Sequence, residues 1–164
     1  SWYRRQRQMC IRDSHNRKAV HPSTEAELEA TYWENVEQML PRVDIISVNC
    51  PSTTATHHLL NAHRLSLLSS HSYLVNTGRG DVIDELALIE LLKQKKIAGA
   101  GLDVYENEPI VKSELFDLPN VVLLPHIGSA TIEGRHAMGD KVIINIQTFL
   151  DGHTPPDRVV PAML

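Results

Sequence analysis

Cysteine is scarce in this chain of 164 residues: only Cys10 and Cys50 occur. Two thiols make neither a disulfide framework nor a zinc ligand pattern, so a reducing cytoplasm is the expected compartment. No apolar run approaches the roughly 20 residues that a membrane helix needs, which excludes a spanning segment, and nothing at the start reads as a secretory signal. Positive charge is not in excess either. The net charge is −4, which argues against a nucleic-acid partner. His57, His58, His63 and His71 cluster in sequence but match no zinc spacing, so no metal is expected. Internal repeats, low-complexity tracts and an obvious linker are missing too.

What remains is ordinary for a globular domain, with 42% apolar and 22% charged residues. The length suits a single domain with a real core. Charge is distributed unevenly. Residues 1–14 hold four arginines against one aspartate, a net +3, which leaves −7 on the rest. That start has no periodicity with a buried face and resembles translated sequencing adapter. It is expected to be a non-native tail, with residues 15–164 forming the domain proper.

One stretch organises the chain: Leu74-Val75-Asn76-Thr77-Gly78-Arg79-Gly80-Asp81. An apolar run stops at small and polar residues, two glycines bracket one arginine, and a helical pattern opens at Asp84. An arginine in such a turn can be a surface residue, or it can grip an anion with its guanidinium fork. Other elements repeat the alternation. Strands are expected at 30–33, 44–50, 73–75, 97–105 and 121–124. Helices are expected at 36–40 behind Asn35, at 61–68, after Asp84, and at 131–150, with Met138, Val142, Ile146 and Phe149 as the core face of the last. Small residues in the 97–105 strand suggest that something packs closely there.

Alternating strands and helices predict an α/β fold, a parallel sheet wound on both faces. Ligands of such sheets collect outside the carboxyl ends of the strands. A dinucleotide-binding half should open on strand, Gly-x-Gly-x-x-Gly and helix, and this chain has no such run. Gly99-Ala100-Gly101 fails because Val104 stands where the third glycine belongs. The expected fold is therefore a partial Rossmann-like domain without its first strand and glycine loop, and the chain alone is expected to be inactive.

Arg79, Glu108 and His126 each follow a predicted strand. A histidine beside a carboxylate tends to keep its proton and can serve as a general acid toward a carbonyl oxygen. An arginine nearby would hold a carboxylate and stabilise the oxyanion. The set fits reduction of a 2-keto acid. Glu106 is a rival to Glu108 for the carboxylate role. Cys50, between a strand and Pro51, reads as structural rather than nucleophilic, and His136 and His153 as surface or packing residues.

Four motifs add a resemblance. Asn49-Cys50-Pro51-Ser52-Thr53-Thr54-Ala55-Thr56, Val75-Asn76-Thr77-Gly78-Arg79-Gly80, Gly101-Leu102-Asp103-Val104-Tyr105-Glu106-Asn107-Glu108-Pro109 and Leu124-Pro125-His126-Ile127-Gly128-Ser129-Ala130-Thr131 resemble, in order and separation, those of the D-isomer-specific 2-hydroxyacid dehydrogenases. Within that family the glyoxylate/hydroxypyruvate reductase-like branch is the most similar. The resemblance implies a substrate-binding role for Arg79, a general acid/base role for His126 and an orienting role for Glu108. It implies that Asp103 holds the nicotinamide carboxamide, with Thr77, Gly78 and Gly128 along the ribose and ring. Asn49, Cys50, Pro51 and Thr56 would lie beside the adenosine and phosphates. Asn16 stands where NAD-dependent members carry an acidic residue on the adenine ribose, and Arg17 follows it. A cation without the carboxylate suits a 2′-phosphate, so NADP is favoured over NAD. The resemblance also implies a homodimer for the full-length protein. A non-catalytic ligand-sensing or corepressor module on the same fold is the alternative, and the complete Arg79, Glu108 and His126 set argues against it.

Overall fold

The computed structural model describes residues 14, 15 and 22–159. Asn16, Arg17 and almost all of the arginine-rich start lie outside them. The chain falls into two units, Ser1–Leu124 and Pro125–Leu164.

In the first unit, β1 (Ser14–His15) pairs in parallel with β2 (Thr31–Tyr32), and α1 (Pro22–Leu28) lies between them in sequence. Helix α2 (Val36–Met39) starts at Asn35, whose side chain accepts the Glu37 N–H, and runs into a 3-10 turn, Leu40–Arg42. Four strands then form one parallel sheet in sequence order: β3 (Ile45–Val48), β4 (Tyr73–Asn76), β5 (Gly99–Leu102) and β6 (Val121–Leu123). Parallel neighbours need long crossovers. Helix α3 (Ala62–Ser66) supplies the first and α4 (Glu85–Lys93) the second. The third is an irregular loop with one 3-10 turn, Ser113–Leu115, pinned by the buried Leu115.

Local chemistry explains these boundaries. The β-branched run of β3 stops short of Pro51, which lacks a ladder donor. Asp84 caps α4 by accepting the Ala87 N–H at 3.0 Å. Within α4, Leu88, Ile89 and Leu92 form one buried stripe and join Ile46, Leu74 and Leu102 of the sheet in a single core cluster. Leu86 lies off the stripe and is 60% exposed. On the sheet's opposite side Ile45 pairs with Tyr73 and Gly101 with Val122, and Ile45, Tyr73 and Val122 are all exposed.

The 97–105 strand is shorter than expected, because after the Asp103 N–H bonds the Asn76 carbonyl the chain turns away. Close packing holds at Gly99, where a Cβ would sit 2.6 Å from the Asn120 carbonyl oxygen. It fails at Gly101, which has nothing within 4 Å.

The second unit is built on α5 (Ile132–Leu150), capped by Thr131, whose hydroxyl accepts the Gly134 N–H. The following tail is tied back by Asp157, which accepts from Lys141 Nζ at 3.0 Å and Asn145 Nδ2 at 2.9 Å. Met138, Val142, Ile146 and Phe149 share a face as expected, but they are not core, since each is at least half exposed. The helical repeat specifies an apolar face, and no described element of this unit covers it. No described helix is long and apolar enough to cross a membrane.

Candidate active site

The turn after β4 is held by Asn76, which is 1% exposed. Its Oδ1 accepts the Gly78 N–H and its Nδ2 donates to the Arg79 carbonyl, both at 3.0 Å. One buried amide thus satisfies both sides of the turn. The flanking glycines answer to neighbours far away in sequence. A Cβ on Gly78 would lie 3.1 Å from the Val48 carbonyl oxygen, and one on Gly80 only 1.9 Å from the Tyr105 carbonyl carbon. Arg79 itself is extended and exposed, and its Nη1 donates to the Gly78 carbonyl at 2.8 Å.

Beside this turn runs the loop that leaves β3. Asn49 Nδ2 donates to Ser47 Oγ at 2.9 Å. Thr56 Oγ1 donates to the Pro51 carbonyl at 2.6 Å and accepts the Thr53 N–H at 2.9 Å, which folds the loop on itself. Ser52 Oγ donates to Asp81 Oδ2, joining loop to turn. Residues 49–52 and 77–79 enclose an open pocket of about 460 Å³ at the carboxyl ends of β3 and β4. Cys50 is part of its wall. Burial raises the thiol pKa, a backbone hydrogen bond partly offsets this, and Asp81 adds to the rise. A thiol held above its ordinary value stays protonated at neutral pH, which suits a lining group and not a nucleophile.

The next loop follows β5. Asp103 is buried, and Glu108 Oε1 accepts the Tyr105 N–H at 3.0 Å. Tyr105, 7% exposed, donates its hydroxyl to the Leu124 carbonyl at 2.8 Å. Glu106 is engaged elsewhere: its Oε1 takes His58 Nε2 at 2.7 Å and its Oε2 lies 3.5 Å from Lys112 Nζ. The Glu106 N–H donates to Glu85 Oε2 at 3.1 Å. Burial alone would lower the Lys112 pKa, but the charges of Glu85 and Glu106 outweigh it and hold the ammonium above its ordinary value.

Of the residues singled out in the sequence, Asn49, Cys50, Pro51, Thr77, Gly78 and Arg79 gather around the pocket, and Thr56 shapes its loop. Asp103 and Glu108 stand on the neighbouring loop and are not among the lining residues. His126 and Gly128 belong to the second unit, where His126 is exposed and has left-handed backbone, φ 54°. Asn16 and Arg17 lie outside the described residues. Sequence reasoning gave no role to Ser52, Asn76 or His58. Asn76 carried a usable signal, an asparagine two residues before a glycine at a strand end. Among the described residues no group of three or more His, Cys, Asp or Glu is arranged to hold a metal ion.

A parallel sheet with a pocket at the carboxyl ends of adjacent strands defines a ligand-binding α/β domain of the nucleotide-binding kind. The chain belongs to the D-isomer specific 2-hydroxyacid dehydrogenase family, whose NAD binding domain matches residues 9–128. It is 46% identical over 138 residues to a glyoxylate reductase of Thermococcus litoralis, covering 84% of this chain and 41% of that protein. It is 41% identical over 151 residues to glyoxylate/hydroxypyruvate reductase B of Enterobacter agglomerans, covering 92% and 46%. Among solved structures it is similar to the NADPH-dependent glyoxylate/hydroxypyruvate reductase of Sinorhizobium meliloti in complex with NADP and malonate. The TM-score there is 0.80 at 38% identity, over 90% of this chain and 45% of that one. The chain thus spans less than half the length of these relatives.

Proposed function

We propose that the protein containing this chain reduces a small 2-keto acid, glyoxylate or hydroxypyruvate, to the D-2-hydroxy acid, with NADPH favoured over NADH. The observation that carries this reading is the pocket at the Arg79 turn, in a chain of this family. Its volume of about 460 Å³ falls in the range of small-molecule and cofactor sites. The Cβ-free Gly78 and the small, polar residues of the wall leave room for a sugar and its ring. When bound, the nicotinamide supplies the hydride.

The chain's own residues supply the rest. Arg79 binds the substrate carboxylate, its fork matching two oxygens, and stabilises charge developing on the carbonyl oxygen. His126 delivers the proton to that oxygen and Glu108 orients the imidazole. Asp103 receives the nicotinamide carboxamide. Thr77, Gly78 and Gly128 line the ring and ribose, while Asn49, Cys50, Pro51 and Thr56 lie along the adenosine and phosphates. Asn16 and Arg17 take the 2′-phosphate. The NADPH dependence of the S. meliloti relative supports that preference. The whole protein is a homodimer working in the cytoplasm on this reading.

Kinetics of the full-length protein test it. Glyoxylate reduction with NADPH is expected, and Arg79→Ala should raise KM and lower kcat, reducing kcat/KM by about 100-fold or more. Arg17→Ala should weaken NADPH far more than NADH. Cofactor binding without turnover in the wild type would favour the ligand-sensing module instead.

A further inference from the structure

We propose that His58, Glu106, Lys112 and Glu85 form a positioning clasp that fixes the loop carrying Glu108 against the turn carrying Arg79. None of the four lines the pocket. They come from three separate places: the loop after β3, the first turn of α4 and the loop after β5. His58 belongs by its backbone to the Arg79 turn, since its N–H donates to the Asp81 carbonyl at 2.8 Å. Its φ of 47° is a left-handed conformation that a non-glycine residue adopts at a cost. That conformation accompanies a ring that crosses to Glu106 Oε1 at 2.7 Å.

Glu106 and Lys112 bracket Glu108 in sequence, and both are anchored on the same buried group. Glu85 is 4% exposed. Its Oε2 accepts the Glu106 N–H, while its Oε1 has no hydrogen bond of proper geometry and depends on Lys112 Nζ at 3.4 Å. The ammonium therefore lies between two carboxylates, with Glu106 Oε2 at 3.5 Å. Exposed ion pairs fix little, because water and salt screen them. These side chains are at most 32% exposed, so an unmade contact leaves a poorly solvated charge. Gly80 completes the device: with no side chain, it lets the Tyr105–Glu106 backbone lie directly on the turn. The Tyr105 N–H that reaches Glu108 Oε1 thus belongs to a segment packed on Gly80 and anchored through Glu106.

The clasp's role in catalysis rests on the proposed work of Arg79 and Glu108, so its test has two arms. The first is amide hydrogen exchange by NMR on the 164-residue chain. His58→Phe keeps a ring but loses the N–H, and Glu106→Gln removes the charge. Each should speed exchange of the Tyr105 N–H by about tenfold or more while the sheet amides of Leu74 and Leu102 stay protected. Lys112→Met should do the same and Lys112→Arg should restore protection. An unchanged Tyr105 amide, or equal acceleration at every amide, would overturn the clasp. In the second arm, His58→Phe in the full-length protein should lower kcat for glyoxylate about tenfold with NADPH affinity unchanged. Unchanged kcat despite a loosened Tyr105 amide would overturn the positioning role. No turnover in the wild type would instead overturn the proposed activity and leave the exchange result standing.

Discussion

Gly80 stands where a single methyl group has no room. Its Cβ would fall 1.9 Å from a backbone carbon, and backbone cannot swing aside as a side chain does. Gly80→Ala should therefore force the Tyr105–Glu106 segment off the turn and cost about 2–4 kcal/mol. Urea unfolding checks this, and a loss below about 0.5 kcal/mol would show that the two segments part without strain. The position also shows how far a single residue is legible in sequence. Two glycines around Arg79 were readable as a turn with room for an anion. The reasons for them, the Val48 carbonyl on one side and the Tyr105 backbone on the other, are contacts between distant segments that no local pattern encodes. The same holds for His58. Beside it in sequence stands another histidine, His57, but its partner is a carboxylate 48 residues away. From sequence Glu108 is preferred and Glu106 is its rival, and the two have different partners: the Tyr105 N–H for Glu108, His58 and Lys112 for Glu106.

Elements were more legible than residues because their signals are local. Asn35, Asn61, Asp84 and Thr131 stand before helices, and each accepts an N–H of the first turn. Each four-residue strand of the sheet was readable from its β-branched or small residues, with its ends set by where the ladder stops. Burial was less legible. The apolar repeat of α5 marks a face without naming a partner, and that face is exposed. The same helix yields a prediction of opposite sign to Gly80. Gly139 lies in the interior of α5 with nothing within 4 Å of its Cβ position, so only backbone entropy is at stake. Gly139→Ala should stabilise the helix by about 0.5–1 kcal/mol. Exchange rates of the α5 amides report it; unchanged or faster exchange would mean that the glycine serves a contact.

At the scale of the whole molecule, three partly or fully buried groups shift the pH dependence of stability in one direction. Cys50, Tyr105 and Lys112 all have pKa values raised above their ordinary 9.0, 10.0 and 10.5. For Tyr105 burial is the main cause, and the charges of Asp103, Glu85 and Glu108 add to the rise. A group that binds its proton more tightly when folded stabilises the fold below its unfolded pKa. That contribution is lost as pH rises through the folded value. All three groups therefore place their losses on the alkaline side, beginning near pH 9 and deepening above 10.5. The two carboxylates with lowered values oppose this only weakly. Asp157, held by Asn145 and then Lys141, and Glu114, held by a backbone hydrogen bond and then Ser113, are exposed and lose their small contributions as pH falls through the acid range. Thermal unfolding from pH 7 to 11 should thus show a flat Tm to about 9 and a steady decline beyond it. Deprotonating Tyr105 removes the proton it shares with the Leu124 carbonyl and adds a charge among three carboxylates. Tyr105→Phe should therefore lower Tm at neutral pH yet make its decline above pH 10 shallower. A Tm that holds to pH 11, or a decline no shallower in Tyr105→Phe, would show that these protons are not bound more tightly in the folded state.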